Sequence, residues 1–180
     1  MPVSLTRWHD AAVRWLSAAA PLVDLAIRLE VAQAFFRSGL VKIGNWSGTL
    51  YLFAHDYHVP LLPPTLAAYA GTFGELVFAP LLALGLAGRF SALALSFVNI
   101  VAVVSFWHVL RDNEAALASH FYWALLLLVT LCHGPGKLSL DRLLSRLGSV
   151  GVFRAGGGSS LTMRSNTPPA LRSRGVRARR

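Results

Sequence analysis

The sequence predicts an all-α fold: a four-helix transmembrane bundle with an interfacial outer hairpin and amphipathic surface helices at its N- and C-terminal ends. Three observations carry this. The chain of 180 residues is 54% hydrophobic and only 14% charged, with a mean hydropathy of +0.53, whereas soluble domains carry about 25% charged residues. Its apolar residues fall into runs long enough to cross a bilayer, for which about 20 residues suffice. One of those runs, 66–86, carries a single carboxylate, Glu75, near its middle. A charge at that depth is expensive and marks an ion pair, a proton path or a ligand contact.

Taken in order, residues 1–20 read as an interfacial amphipathic helix. Trp8, Ala12, Trp15 and Ala19 share one face, with Arg7, Asp10 and Arg14 away from it. Those same charges interrupt any secretory signal in Met1–Ala20, and Pro21 is expected to turn the chain into the membrane. The membrane domain then occupies 21–134, with spans near 22–43, 66–86, 90–110 and 115–132. The first span is interrupted by Asp24, Arg28, Glu30 and Arg37, so it is expected to pack inside a bundle with its charges turned toward partners. Residues 44–64 hold Trp46, Tyr51, Phe53, Tyr57 and several prolines. They suit an irregular interfacial hairpin at headgroup level. In the second span Gly71 and Gly74 permit close helix contact.

Gly134-Pro135-Gly136 ends the fourth span, and Ser139 can cap a basic amphipathic surface helix within 135–153. There Leu140, Leu143, Leu144 and Leu147 follow helical spacing, while Arg142 and Arg146 face away. Residues 154–180, rich in Gly, Ser and Arg, are expected to form a disordered basic tail.

Charge sets the orientation. With both termini cytoplasmic, the inner side carries Arg7, Arg14, Arg89, Lys137, Arg142 and Arg146, and the outer side only Lys42 and Arg111. Trp46, Trp107 and Trp123 then all meet the outer interface. The net charge of +9 does not point to nucleic acid, because 10 of the 17 Lys and Arg lie after Gly134. The expected setting is the plasma (inner) membrane and the expected first partner the lipid bilayer, with homo-oligomerisation open.

The chemistry converges on the intramembrane charges. At about 1.5 Å per residue, Glu75 lies roughly 15 Å below the outer surface, bracketed in depth by Arg37, Glu30 and Arg28. Pairing of Glu75 with Arg37 or Arg28 is expected, with Glu30 as a balancing charge. Two readings follow: a polar pocket that binds a quinone headgroup or another small ligand or handles a proton, and a structural ion-pair network that fixes helix register. His55, His58, His108 and His120 fall on the outer side, where neutral imidazoles are the donors a metal or haem would need. The spacing lacks supporting carboxylates, so neither is required. His133 lies on the opposite side. The single cysteine, Cys132, excludes an intramolecular disulfide or dithiol relay.

Several motifs resemble those of the DoxX family of small four-helix membrane proteins. They are Arg28 with FFRSGLVKIGNW (residues 35–46), GTFGELVFAPLLALGLAGRFSAL (71–93) around Glu75, and GPGKLSLD (134–141). The resemblance covers about residues 22–147. It implies membrane redox chemistry, including quinone-linked oxidation of sulfur compounds, and partnership with soluble or membrane redox enzymes. The leading expectation is a membrane subunit in a quinone-linked or oxidative-stress-related process. The alternative is a non-catalytic scaffold that recruits a soluble partner through its basic C-terminal helix.

Overall fold

The computed structural model of the protein describes residues 3–155, and among these every regular element is helical. The elements are α1 (Val3–Gly44), α2 (Trp46–His55), α3 (Pro64–Leu84), α4 (Gly88–Ser105), α5 (Trp107–Leu110), α6 (Glu114–His133) and α7 (Leu140–Ala155). The expected tail lies largely outside the described residues.

Helices α3, α4 and α6 are each long and apolar enough to cross a membrane. The longer α1 is not among them, since Asp24, Arg28, Glu30 and Arg37 all lie within it. The long helices pack as a closed ring: α1 on α3, α3 on α4, α4 on α6, and α6 back on α1. The core sits where they meet, built from Val31, Ala32 and Phe35 of α1, Ala79 and Leu82 of α3, Leu95 of α4 and Leu127 of α6. Large apolar side chains such as Phe73, Phe97, Ile100, Leu125 and Leu128 point outward. Apolar side chains turned outward around a packed interhelical core suit a helix bundle in lipid.

Three expectations are corrected. The chain does not turn at Pro21: α1 runs unbroken through it for 42 residues. Proline removes one helical N–H and crowds the preceding turn. Ala18–Ala20 and the apolar residues after it favour the helix on both sides, and the single lost bond is tolerated. Nor is 44–64 irregular throughout. Its first half forms α2, capped by Asn45, whose side chain accepts from the Gly48 N–H at 3.1 Å. The prolines of this stretch all follow residue 59, so nothing in 46–55 opposes a helix. The third expected span also divides, with a break at Phe106 between α4 and α5.

The α3–α4 turn is closed from outside. Gly85 ends α3 in the left-handed region (φ +67°), and Leu86 N–H reaches back to Leu81 O at 2.9 Å. The Asp141 carboxylate accepts from the N–H groups of Ala87 and Gly88 at 2.8 and 3.0 Å, capping α4. The Arg28 guanidinium, 1% exposed, donates to the carbonyls of Leu138 and Ala83. The 134–141 segment is thereby fastened across the end of the bundle.

Candidate functional site

Gly39 on α1 sets the geometry of the other half of the bundle. A Cβ there would lie 2.8 Å from Leu76 Cδ2 and 3.2 Å from Glu75 Cβ. Only glycine lets α1 and α3 approach this closely. Across that seam Glu75, 6% exposed, turns its carboxylate toward the last turn of α1. Lys42 Nζ stands 2.5 Å from both carboxylate oxygens. Ser38, one helical turn before Lys42 and on its face, donates to Oε1 at 3.1 Å and accepts from Lys42 at 3.0 Å. Lys42 O in turn accepts from the Thr49 hydroxyl at 3.0 Å, tying α2 to the site. The pair sums to zero charge. That is the condition for keeping it out of water, since either partner alone would be an uncompensated buried ion.

Beside the pair sits an unused donor. Thr72, one turn before Glu75 on the same face of α3, is 4% exposed, and its hydroxyl has no hydrogen-bond partner. A buried helical hydroxyl normally bonds the carbonyl four residues back, as Thr130 does with Leu126 O at 3.1 Å and Ser96 with Ala92 O at 2.8 Å. Tyr57, in the α2–α3 connection, is stacked between Phe53 and Phe106 at 4.7 Å each. Burial, then the nearby Glu75 and Asp56 carboxylates, hold its pKa above the ordinary phenol value. Tyr57 therefore remains a neutral hydroxyl at physiological pH.

The other residues expected beside Glu75 are placed elsewhere. Arg28 belongs to the turn at the opposite end of the bundle; it precedes Lys42 by 14 positions, about 21 Å along a helix. Arg37 is exposed beside Gln33, whose amide oxygen, suitably oriented, accepts from both terminal guanidinium nitrogens at 2.8 and 3.2 Å. Glu30 is exposed. The charge that meets Glu75 is Lys42, which sequence reasoning counted only as an outer-rim cation. The signal that could have found it is the Ser38/Lys42 spacing at the end of the first span.

The histidines do not converge as a set. His58 and His108 meet edge to face at 5.3 Å, and His55 stacks on Tyr51. His120 Nδ1 lies 2.7 Å from Asn99 Oδ1, with its ring against Trp123. Among the described residues no three His, Cys, Asp or Glu side chains are grouped as a metal site would need.

Comparison with known proteins gives the family of the chain. The family model described as DoxX matches residues 23–108, a stretch that contains Ser38, Lys42, Thr72 and Glu75. An uncharacterized protein of Haemophilus influenzae is 33% identical over 135 residues, covering 68% of this chain and 83% of its own length. No solved structure matches significantly.

Proposed function

This chain belongs to the DoxX family of membrane proteins, and from that premise we propose that it holds a quinone headgroup at the Lys42–Glu75 site as the membrane partner of a redox enzyme. In this reading α1, α3, α4 and α6 are four spans of the plasma (inner) membrane, with both termini cytoplasmic. The observation that carries the ligand reading is the partnerless Thr72 hydroxyl one turn from a buried, neutralised ion pair. A quinone presents carbonyl oxygens that accept from hydroxyl and ammonium donors. Thr72 and Lys42 supply such donors, and Glu75 is a carboxylate able to exchange a proton with a reduced headgroup. Chemistry of this kind calls for a partner to supply or remove electrons, since the lone Cys132 offers no dithiol.

The test is thermal unfolding of the purified full chain in detergent, with and without a short-chain ubiquinone or menaquinone analogue. The native protein is expected to be stabilised by the analogue, and Glu75→Gln is expected to insert normally but lose that response along with protection of cells from oxidants. Full response in the variant would refute the site.

A second reading is favoured by one observation: Lys42 and Ser38 already satisfy the Glu75 carboxylate. A pair so complete can serve as a register lock in a non-catalytic scaffold. Under that reading no quinone analogue shifts the melt, and deletion of residues 139–180 removes partner binding while the bundle stays folded.

A further inference from the structure

At the end of the bundle remote from Glu75, an open cleft of about 600 Å³ lies between α1, the loop after α6, and α7. It is lined by Pro21 and Asp24 of α1, Arg89 of α4, Lys137 of the loop, and Asp141, Arg142 and Arg146 of α7. Four cations thus face two carboxylates, of which Asp141 is already engaged. Asp141 accepts from two backbone N–H groups of the α3–α4 turn. Asp24 lies against Gly136 and within the field of the buried Arg28. Neither Lys137 nor Arg142 forms an ion pair with any described residue. At Lys137 and Arg142 the cleft therefore carries positive charge that no carboxylate among the described residues pairs with.

The cleft also lies where a membrane surface would meet it. Helix α7 leaves Leu143, Leu144 and Leu147 more than half exposed, with Arg142 and Arg146 on the other side of the helix. A helix with this division lies in the plane of a membrane, its leucines at the acyl boundary and its cations among the headgroups. Three different segments bring cations to the same mouth at that depth. Basic pockets between membrane helices are suited to anionic headgroups.

We propose that this cleft binds the phosphodiester headgroup of an anionic phospholipid, held by Lys137, Arg142 and Arg89, with the acyl chains lying along the leucine face of α7. The recognised chemistry is a phosphate ester; the leucine face selects the lipid over a free phosphate. The inference rests on the reading of the chain as a membrane bundle and is independent of the quinone site.

The experiment uses the delipidated full chain in a neutral detergent. Binding is followed by thermal unfolding on titration with dioleoyl phosphatidylglycerol, dioleoyl phosphatidylcholine, or water-soluble glycerol 3-phosphate. Phosphatidylglycerol is expected to raise the melting temperature saturably, and the other two to leave it unchanged at equal concentration. Lys137→Gln with Arg142→Gln, both exposed and outside the core, is expected to fold normally and weaken phosphatidylglycerol binding about thirtyfold, each interfacial cation contributing about a factor of five. The control Arg177→Gln/Arg179→Gln/Arg180→Gln removes tail charge and should bind as the native chain does. An equal shift with glycerol 3-phosphate would overturn the lipid assignment. Loss of binding in the tail variant with retention in the cleft variant would overturn the cleft. The quinone-analogue melt should be the same in the cleft variant as in the native chain, which separates this result from the fate of the Glu75 site.

Discussion

Glu75 and Arg28 are the buried charged side chains among the described residues, and they are held in opposite ways. Glu75 meets a side-chain counter-ion and a hydroxyl across the α1–α3 seam, next to a Thr72 donor that bonds nothing. Arg28 meets backbone: its terminal nitrogens donate to the carbonyls of Ala83 and Leu138, at a turn that Asp141 caps from the other side, while its Nε bonds nothing. A guanidinium spread over the carbonyls of two segments fixes those segments to each other, and a ligand entering there would have to unfasten them. A carboxylate and an ammonium joined by flexible side chains can part and rejoin around a guest. Under the proposed function, architecture belongs to the Arg28 end and chemistry to the Glu75 end.

The largest effect should come from the clasp. Arg28→Ala leaves two carbonyls without their donor and a cavity of side-chain size, and is expected to cost about 4 kcal/mol in chemical unfolding of the detergent-solubilised chain. A cost below about 1 kcal/mol would mean that the clasp fastens nothing. Next is Lys42→Met, which strands the Glu75 carboxylate in the seam and should cost about 3 kcal/mol by the same measurement. Adding Glu75→Leu to it should recover most of that loss, because an apolar pair of similar volume replaces a neutralised ion pair nearly without penalty.

Gly39→Ala tests the close approach on which the pair depends. Its methyl meets Leu76 at 2.8 Å, so the helices must shift, at about 2 kcal/mol. The quinone response should weaken with it. The smallest effect is expected from Asp141→Asn, which keeps the shape of the cap but loses its charge at the start of α4. About 1 kcal/mol should go, with the response to quinone unchanged. If Asp141→Asn silenced that response, the two ends of the bundle would be coupled and the contrast between them would fail.

Much of this contrast was legible from the sequence, and the gaps have physical reasons. Glu75 stood out because a lone carboxylate in an apolar run has only a few explanations. The helical class and the small residues of α3 followed from composition and spacing. The partner of Glu75 did not follow, because depth counted along each helix says nothing of which faces meet. Lys42 lies near a span end, where a lysine is commonly a rim charge. Its long stem let it reach down to the carboxylate instead, which no periodicity reports. Arg28 was expected beside Glu75 because both are charges within spans. Its actual partners are backbone carbonyls, which every residue has and no sequence marks. Pro21 misled for a related reason: proline is a strong local signal, but it removes one bond from a helix that continues on both sides of it, 42 residues in all.

The most direct test of the account is the quinone-analogue melt run on Lys42→Met/Glu75→Leu beside the native chain. This double variant keeps the bundle folded by restoring an apolar seam, so stability and ligand response come apart. The double variant is expected to keep a native-like melting temperature and show no shift on adding the analogue, while the native protein shifts clearly upward. A double variant that is stabilised as much as the native chain would contradict this, and the Lys42–Glu75 pair would then stand as a register lock alone.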